Sequence, residues 1–111
     1  MEPSKERTPP RELHVLRWRE AVDAGAVLID VREEEEVATG TLPGAVNIPL
    51  GHILFHVADF DPQVPIALLC RSGNRSGQAA ARLADLGFIA INLTGGMLAI
   101  HEAHGSNGDP R

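Results

Sequence analysis

The sequence predicts an α/β domain of three layers, with a central, mostly parallel β-sheet covered by helices on both faces. Three observations predict it. Short apolar runs alternate with helical stretches along the chain, which implies right-handed crossovers between parallel strands. The strand candidates are continuously apolar rather than alternating, as strands buried on both sides are. Finally, 43% of the 111 residues are hydrophobic but only 4% are aromatic, so Ala, Val, Ile and Leu must build the core. One compact domain fits this length.

Residues 1–10 are charged and proline-rich and are expected to form a loose tail, with a single domain over 11–105 and a second tail over 106–111. Residues 13–16 read as a short edge strand. A helical stretch follows from Trp18, expected to be a packing residue, to about Ala24, where Gly25 stops it. Residues 26–31 form a buried strand. After Arg32 come Glu33, Glu34, Glu35 and Glu36, the acidic start of a short helix that ends before Gly40. They read as a solvated helix start rather than a metal site. A turn over 42–45 leads to a brief strand over 46–49 that a proline closes.

Residues 51–58 carry Ile53, Leu54 and Val57 at helical spacing. A second buried strand, 65–69, ends at Cys70. Residues 76–86 are the clearest helix, with Ala79, Ala80, Leu83 and Leu86 on one face. Gly87 fits its C′ position, and Phe88 is expected to fold back onto the last turn. A further strand spans 89–93, and Gly95-Gly96 opens a last helix that runs to about His104.

The formal net charge of −5 leaves no basic field for nucleic acid or for an anionic membrane surface. No apolar run approaches the roughly 20 residues of a membrane span, and the first ten residues lack the apolar core of a secretory signal. The expected location is the cytoplasm. One cysteine makes no internal disulfide, in keeping with a reducing compartment. His52 and His56, like His101 and His104, share helical faces, but a zinc site wants three or four ligands. Surface histidines are the expectation, with no metal and no cofactor. A monomer and a homodimer are both compatible with the chain.

In a parallel sheet, sites gather at the carboxyl ends of strands, and Cys70 lies at one. A lone cysteine after an apolar strand is usually an inert small hydrophobe. Here the next residues are Arg71, Ser72, Gly73, Asn74, Arg75 and Ser76, which is no core composition. The unpaired N–H groups of the following helix and the two guanidinium groups favour an anion, and so a thiolate. Gly73 and Asn74 tolerate positive φ and are expected to curl the loop into an anion nest.

These residues resemble the rhodanese family, and several stretches match together. Leu28-Ile29-Asp30-Val31-Arg32 is similar to its early strand, and residues 42–49, LPGAVNIP, to its IPGAxNIP element. Residues 70–76 resemble its active-site loop, and Gly95-Gly96-Met97 its glycine turn. The likeness runs from about Leu13 to His104. Thr41 and Ile100 stand where histidine and tryptophan are common, differences expected to affect packing.

The resemblance implies a rhodanese-like fold and a ping-pong sulfurtransferase. Cys70 would take sulfur from a donor such as thiosulfate as a persulfide and pass it to cyanide, a thiol or a sulfur-acceptor protein. Arg71 and Arg75 would bind the anionic donor. The backbone of residues 71–76 would cradle the persulfide, and the Ser72 and Ser76 hydroxyls would add hydrogen bonds. Asp30 and Arg32 would support the site, chiefly as a structural pair. With no second cysteine, transfer must go to an external acceptor. A non-catalytic or slow carrier or interaction module is the alternative. A phosphatase or arsenate reductase fits less well, because Arg75 follows Cys70 by five positions rather than six and no histidine precedes it.

Overall fold

Strand β4 (Ile66–Leu69) is the middle of a five-stranded sheet, and its four residues are all buried. The computed structural model describes residues 8–104. With β1 (Arg11–His14), β2 (Val27–Asp30), β3 (Val46–Asn47) and β5 (Ala90–Thr94), the order is β1-β5-β4-β2-β3, every neighbouring pair parallel. The helices are α1 (Trp18–Asp23), α2 (Glu34–Val37), α3 (Asn74–Asp85) and α4 (Gly96–His104), with 3₁₀ segments at Val15–Arg17 and Leu50–Asp59.

Side chains alternate across a strand, and that alternation divides the core in two. Ile66, Leu68 and Cys70 join Ile29, Ala90 and the α3 residues Ala79, Ala80 and Leu83 on one face. Ala67 and Leu69 join Leu28, Ile91 and Leu93 on the other, with Trp18 of α1 and Met97 and Ile100 of α4. Cys70, in phase with Ile66 and Leu68, thereby faces α3. Trp18 is a packing residue, 6% exposed, with the Arg19 guanidinium 4.6 Å from its ring centroid. Ile100 is fully buried in the α4 face.

Several element limits differ from the sequence expectation. The first strand lies two residues earlier, and Val15–Arg17 is already a 3₁₀ turn, started by the Leu16 N–H donating to His14 Nδ1 at 3.2 Å. The stretch over 51–58 is 3₁₀ rather than α. A period of three lines up Leu50, Ile53 and His56, so Ile53 is buried while Leu54 is 41% exposed. Leu86 is not on the buried face of α3. The helix ends at Asp85, and the Gly87 and Phe88 N–H groups donate to the carbonyls of Ala84 and Leu83. Phe88, not Leu86, completes that core, edge-on to Phe60.

Of the expected tails, residues 1–7 and 105–111 lie outside the described residues. No helix among the described residues is long and apolar enough to cross a membrane. No group of three or more His, Cys, Asp or Glu among them stands close enough to hold a metal ion.

Candidate active site

Helix α3 starts two residues before the expected Ser76, because Gly73 is its N-cap, with φ of +101°. Asn74 does not adopt positive φ and belongs to the first turn of the helix. The curl expected of two residues therefore rests on Gly73 alone. With that turn, the Gly73 and Ser76 N–H groups donate to Cys70 Sγ at 3.1 and 3.3 Å. The Ser76 hydroxyl lies 3.2 Å from the same sulfur.

Cys70 is only 1% exposed. Burial pushes its thiol up. The Ser76 hydroxyl and the backbone N–H groups of Ser76, Gly73 and Ser72 pull it down and prevail, so the thiol ionises below its ordinary value. The loop's own dipoles, more than its arginines, favour the thiolate.

The carbonyl side of the loop is also held. The Met97 and Leu98 N–H groups, unpaired at the start of α4, donate to the Cys70 and Arg71 carbonyls, both at 2.9 Å. Gly96 permits this approach. It has φ of +57°, and a Cβ there would collide with those same main-chain oxygens.

The two arginines differ. Arg75 forms a bidentate pair with Glu36 at 2.7 and 2.8 Å, and this guanidinium first of all holds the Glu36 carboxyl down to about 2. Arg71 is exposed, and its side chain has no hydrogen-bond or ion-pair partner among the described residues. Glu36 is thus no freely solvated acid. It also accepts the Glu33 N–H at 2.9 Å, which closes the first turn of α2.

Asp30 and Arg32 form a buried pair at 2.7 Å. Arg32 also donates to the Gly40 and Glu36 carbonyls, and Thr41 Oγ1 donates to Asp30 Oδ2 at 2.6 Å. The two residues tie together the loops on either side of α2, and Thr41 contributes to that tie. Arg32 reaches the same cleft as Arg71, a hollow of about 480 Å³ walled also by Glu36, Thr39, Met97 and His101. Ser72 is exposed and does not line that hollow. A second, more apolar groove of about 400 Å³ lies towards the start of β2 and β4, lined by Val27, Phe60 and Ile66 among others, and contains none of the expected site residues.

Two residues of the site were missed from sequence. Glu36 is one of four identical neighbours, and only the turn of α2 selects it. Asn92, 6% exposed on β5, had a readable signal: it is polar inside an apolar strand and in phase with Ala90, so it points to the face of α3. Its Oδ1 accepts from the Ser76 hydroxyl at 2.6 Å, and its Nδ2 donates to the Gly73 carbonyl at 3.2 Å.

The profile of the rhodanese-like domain matches residues 10–103. The chain is 38% identical over 91 residues to a putative sulfurtransferase, YtwF, of Bacillus subtilis, covering 80% of this chain and 88% of that one. It is 34% identical over 82 residues to the thiosulfate sulfurtransferase GlpE of Pseudomonas savastanoi, covering 74% and 73%. The crystal structure of a rhodanese-related protein from Thermoplasma volcanium superposes with a TM-score of 0.77 at 25% identity, over 86% of this chain and 94% of the other.

Proposed function

Because the chain belongs to the rhodanese-like domain family, we propose that it moves sulfane sulfur from a donor to a thiophilic acceptor through a persulfide on Cys70. Relatives named as sulfurtransferases at 38% and 34% identity support a rhodanese-type enzyme. The observation that carries the reading is the pair of N–H groups, from Gly73 and Ser76, donating to one buried sulfur.

The Cys70 thiolate attacks the sulfane sulfur of the donor. An S–S bond forms at Sγ as the donor's own sulfur bond breaks, and with thiosulfate the leaving group is sulfite. The backbone of residues 71–76 cradles the persulfide, with Ser72 and Ser76 beside it. A nucleophilic acceptor then attacks the outer sulfur and returns Cys70 as thiolate. Cyanide leaves as thiocyanate, and a thiol as a new persulfide.

Arg71, without a side-chain partner among the described residues, receives an anionic donor and offsets charge on the leaving group. Arg75, bound to Glu36, orients the start of α3, and its charge reaches Cys70 from there. The Asp30–Arg32 pair supports the cleft wall. Neither metal nor cofactor is needed for these steps. With one cysteine in the chain, the second half-reaction requires an external acceptor.

The test is intact mass after incubation with thiosulfate or with an organic persulfide, for this protein and for Cys70→Ser, followed by cyanide. A gain of one sulfur, roughly 32 mass units, that needs Cys70 and is discharged as thiocyanate establishes the cycle. No gain from either donor makes the chain an interaction module instead.

A further inference from the structure

The Ser76 hydroxyl carries one proton and has two neighbours that compete for it. Asn92 Oδ1 lies 2.6 Å away and Cys70 Sγ 3.2 Å away. Oδ1 is an acceptor only. The amide cannot turn over, because Nδ2 donates to the Gly73 carbonyl at 3.2 Å, and reversal would set two acceptors against each other. While Cys70 is a thiol the Ser76 proton therefore points at Asn92 and the sulfur meets the hydroxyl's lone pair, so the hydroxyl lowers the thiol, as described above, only by turning from Asn92 to donate to sulfur.

We propose that Asn92 is a positioning residue that commits the Ser76 hydroxyl proton to itself, and so keeps the resting Cys70 sulfur as a thiol hydrogen-bonded to Ser76 Oγ. When the thiol ionises, its proton leaves to water and the Ser76 hydroxyl turns to donate to sulfur. Asn92 Oδ1 then loses its donor at a site where Ser76 is fully buried and Asn92 is 6% exposed, and an unsatisfied buried acceptor is costly. Asn92 thus opposes the ionisation that the Gly73 and Ser76 N–H groups favour.

The charged and titratable groups nearest the loop are Arg71, Arg75 with its partner Glu36, the Asp30–Arg32 pair, and Glu35 and His101 in the same cleft. Among the described residues none of them bonds to Ser76 or Asn92. Gly77 belongs to the same arrangement, since a Cβ there would lie 3.2 Å from Asn92 Nδ2.

The inference concerns the thiol used in the proposed function, but a titration does not depend on sulfur transfer, so the two fail separately. The experiment measures the rate of iodoacetamide alkylation of Cys70 against pH in four proteins: this chain, Asn92→Leu, Ser76→Ala and the double variant. Asn92→Leu frees the hydroxyl to serve sulfur, and the Cys70 titration is expected to move down by about one unit. In the Ser76→Ala background the same replacement is expected to move it hardly at all.

Were Asn92 merely a support for the Gly73 loop, its loss would weaken the Gly73 N–H bond to sulfur and move the titration up in both backgrounds. An upward shift, or an equal shift with and without Ser76, overturns the proposal. If Asn92→Leu does not fold, as judged by its melting transition, Asn92→Val takes its place and is held to the same two outcomes.

Discussion

Gly96 shows how much can depend on one missing methyl. A Cβ on it would run into the Cys70 and Arg71 carbonyls, and the next two N–H groups bond to them. Gly96→Ala must push the loop or the start of α4 aside. Since small misplacements of reacting groups are expensive, persulfide formation is expected to slow on the order of 10- to 100-fold, read from the rate of sulfur gain on Cys70. Gly44→Ala is the control. Its φ of +82° is strained for alanine, but nothing lies within 4 Å. It is expected to lower the melting temperature and leave the transfer rate of folded protein unchanged. At this scale the proposed nucleophile and its loop stood out in the sequence, because polar, basic and glycine residues have no reason to follow a buried strand. The partners were not. Glu36 and Asn92 enter the site from other segments, and nothing near Cys70 in the chain names them.

Among the elements, the tie from α2 to α3 is the one that sequence reasoning turned around. Two arginines beside a thiol read as a pair of anion receptors, yet Arg75 is spoken for by Glu36 at 2.7 Å. Glu36→Gln is expected to release it as a second cation at the cleft. The KM for thiosulfate should then fall several-fold and become more sensitive to salt. The pH dependence of stability has a definite sign. Glu36 titrates lower in the folded chain, at about 2, than its ordinary 4.5. Its contribution is therefore present above pH 4.5 and disappears as pH falls towards about 2. With both side chains about a third exposed, the contribution is roughly 1 kcal/mol or less. The melting-temperature gap between this chain and Glu36→Gln should narrow across that window. Element limits were less readable than element types. The 3₁₀ period over Leu50–Asp59 and the early start of α3 at Asn74 both arise from how the backbone meets its neighbours, which hydrophobic spacing does not record.

Across the molecule, the parallel sheet with helices on both faces was plain from alternating apolar runs, and strand parity then assigned each side chain to one of two cores. The α3 core bears on the site directly. Leu83, fully buried under α3, is expected to cost about 2–5 kcal/mol when cut to alanine, a fall in melting temperature on the order of 10 °C or more. Leu54→Ala, at 41% exposure, is expected to stay within about 0.5 kcal/mol. Thermal denaturation of Leu54→Ala tests the period of three along Leu50–Asp59, since a period of 3.6 would have buried this side chain and made the loss large. The loop at Cys70 has its amides turned in to sulfur and its carbonyls taken up by α4, while the side chains of Arg71, Ser72 and Asn74 remain outside. With the proposed function, changes at those three positions retune which molecules are admitted without disturbing the sulfur that would react. A family built this way can diversify its clientele while inheriting its chemistry intact.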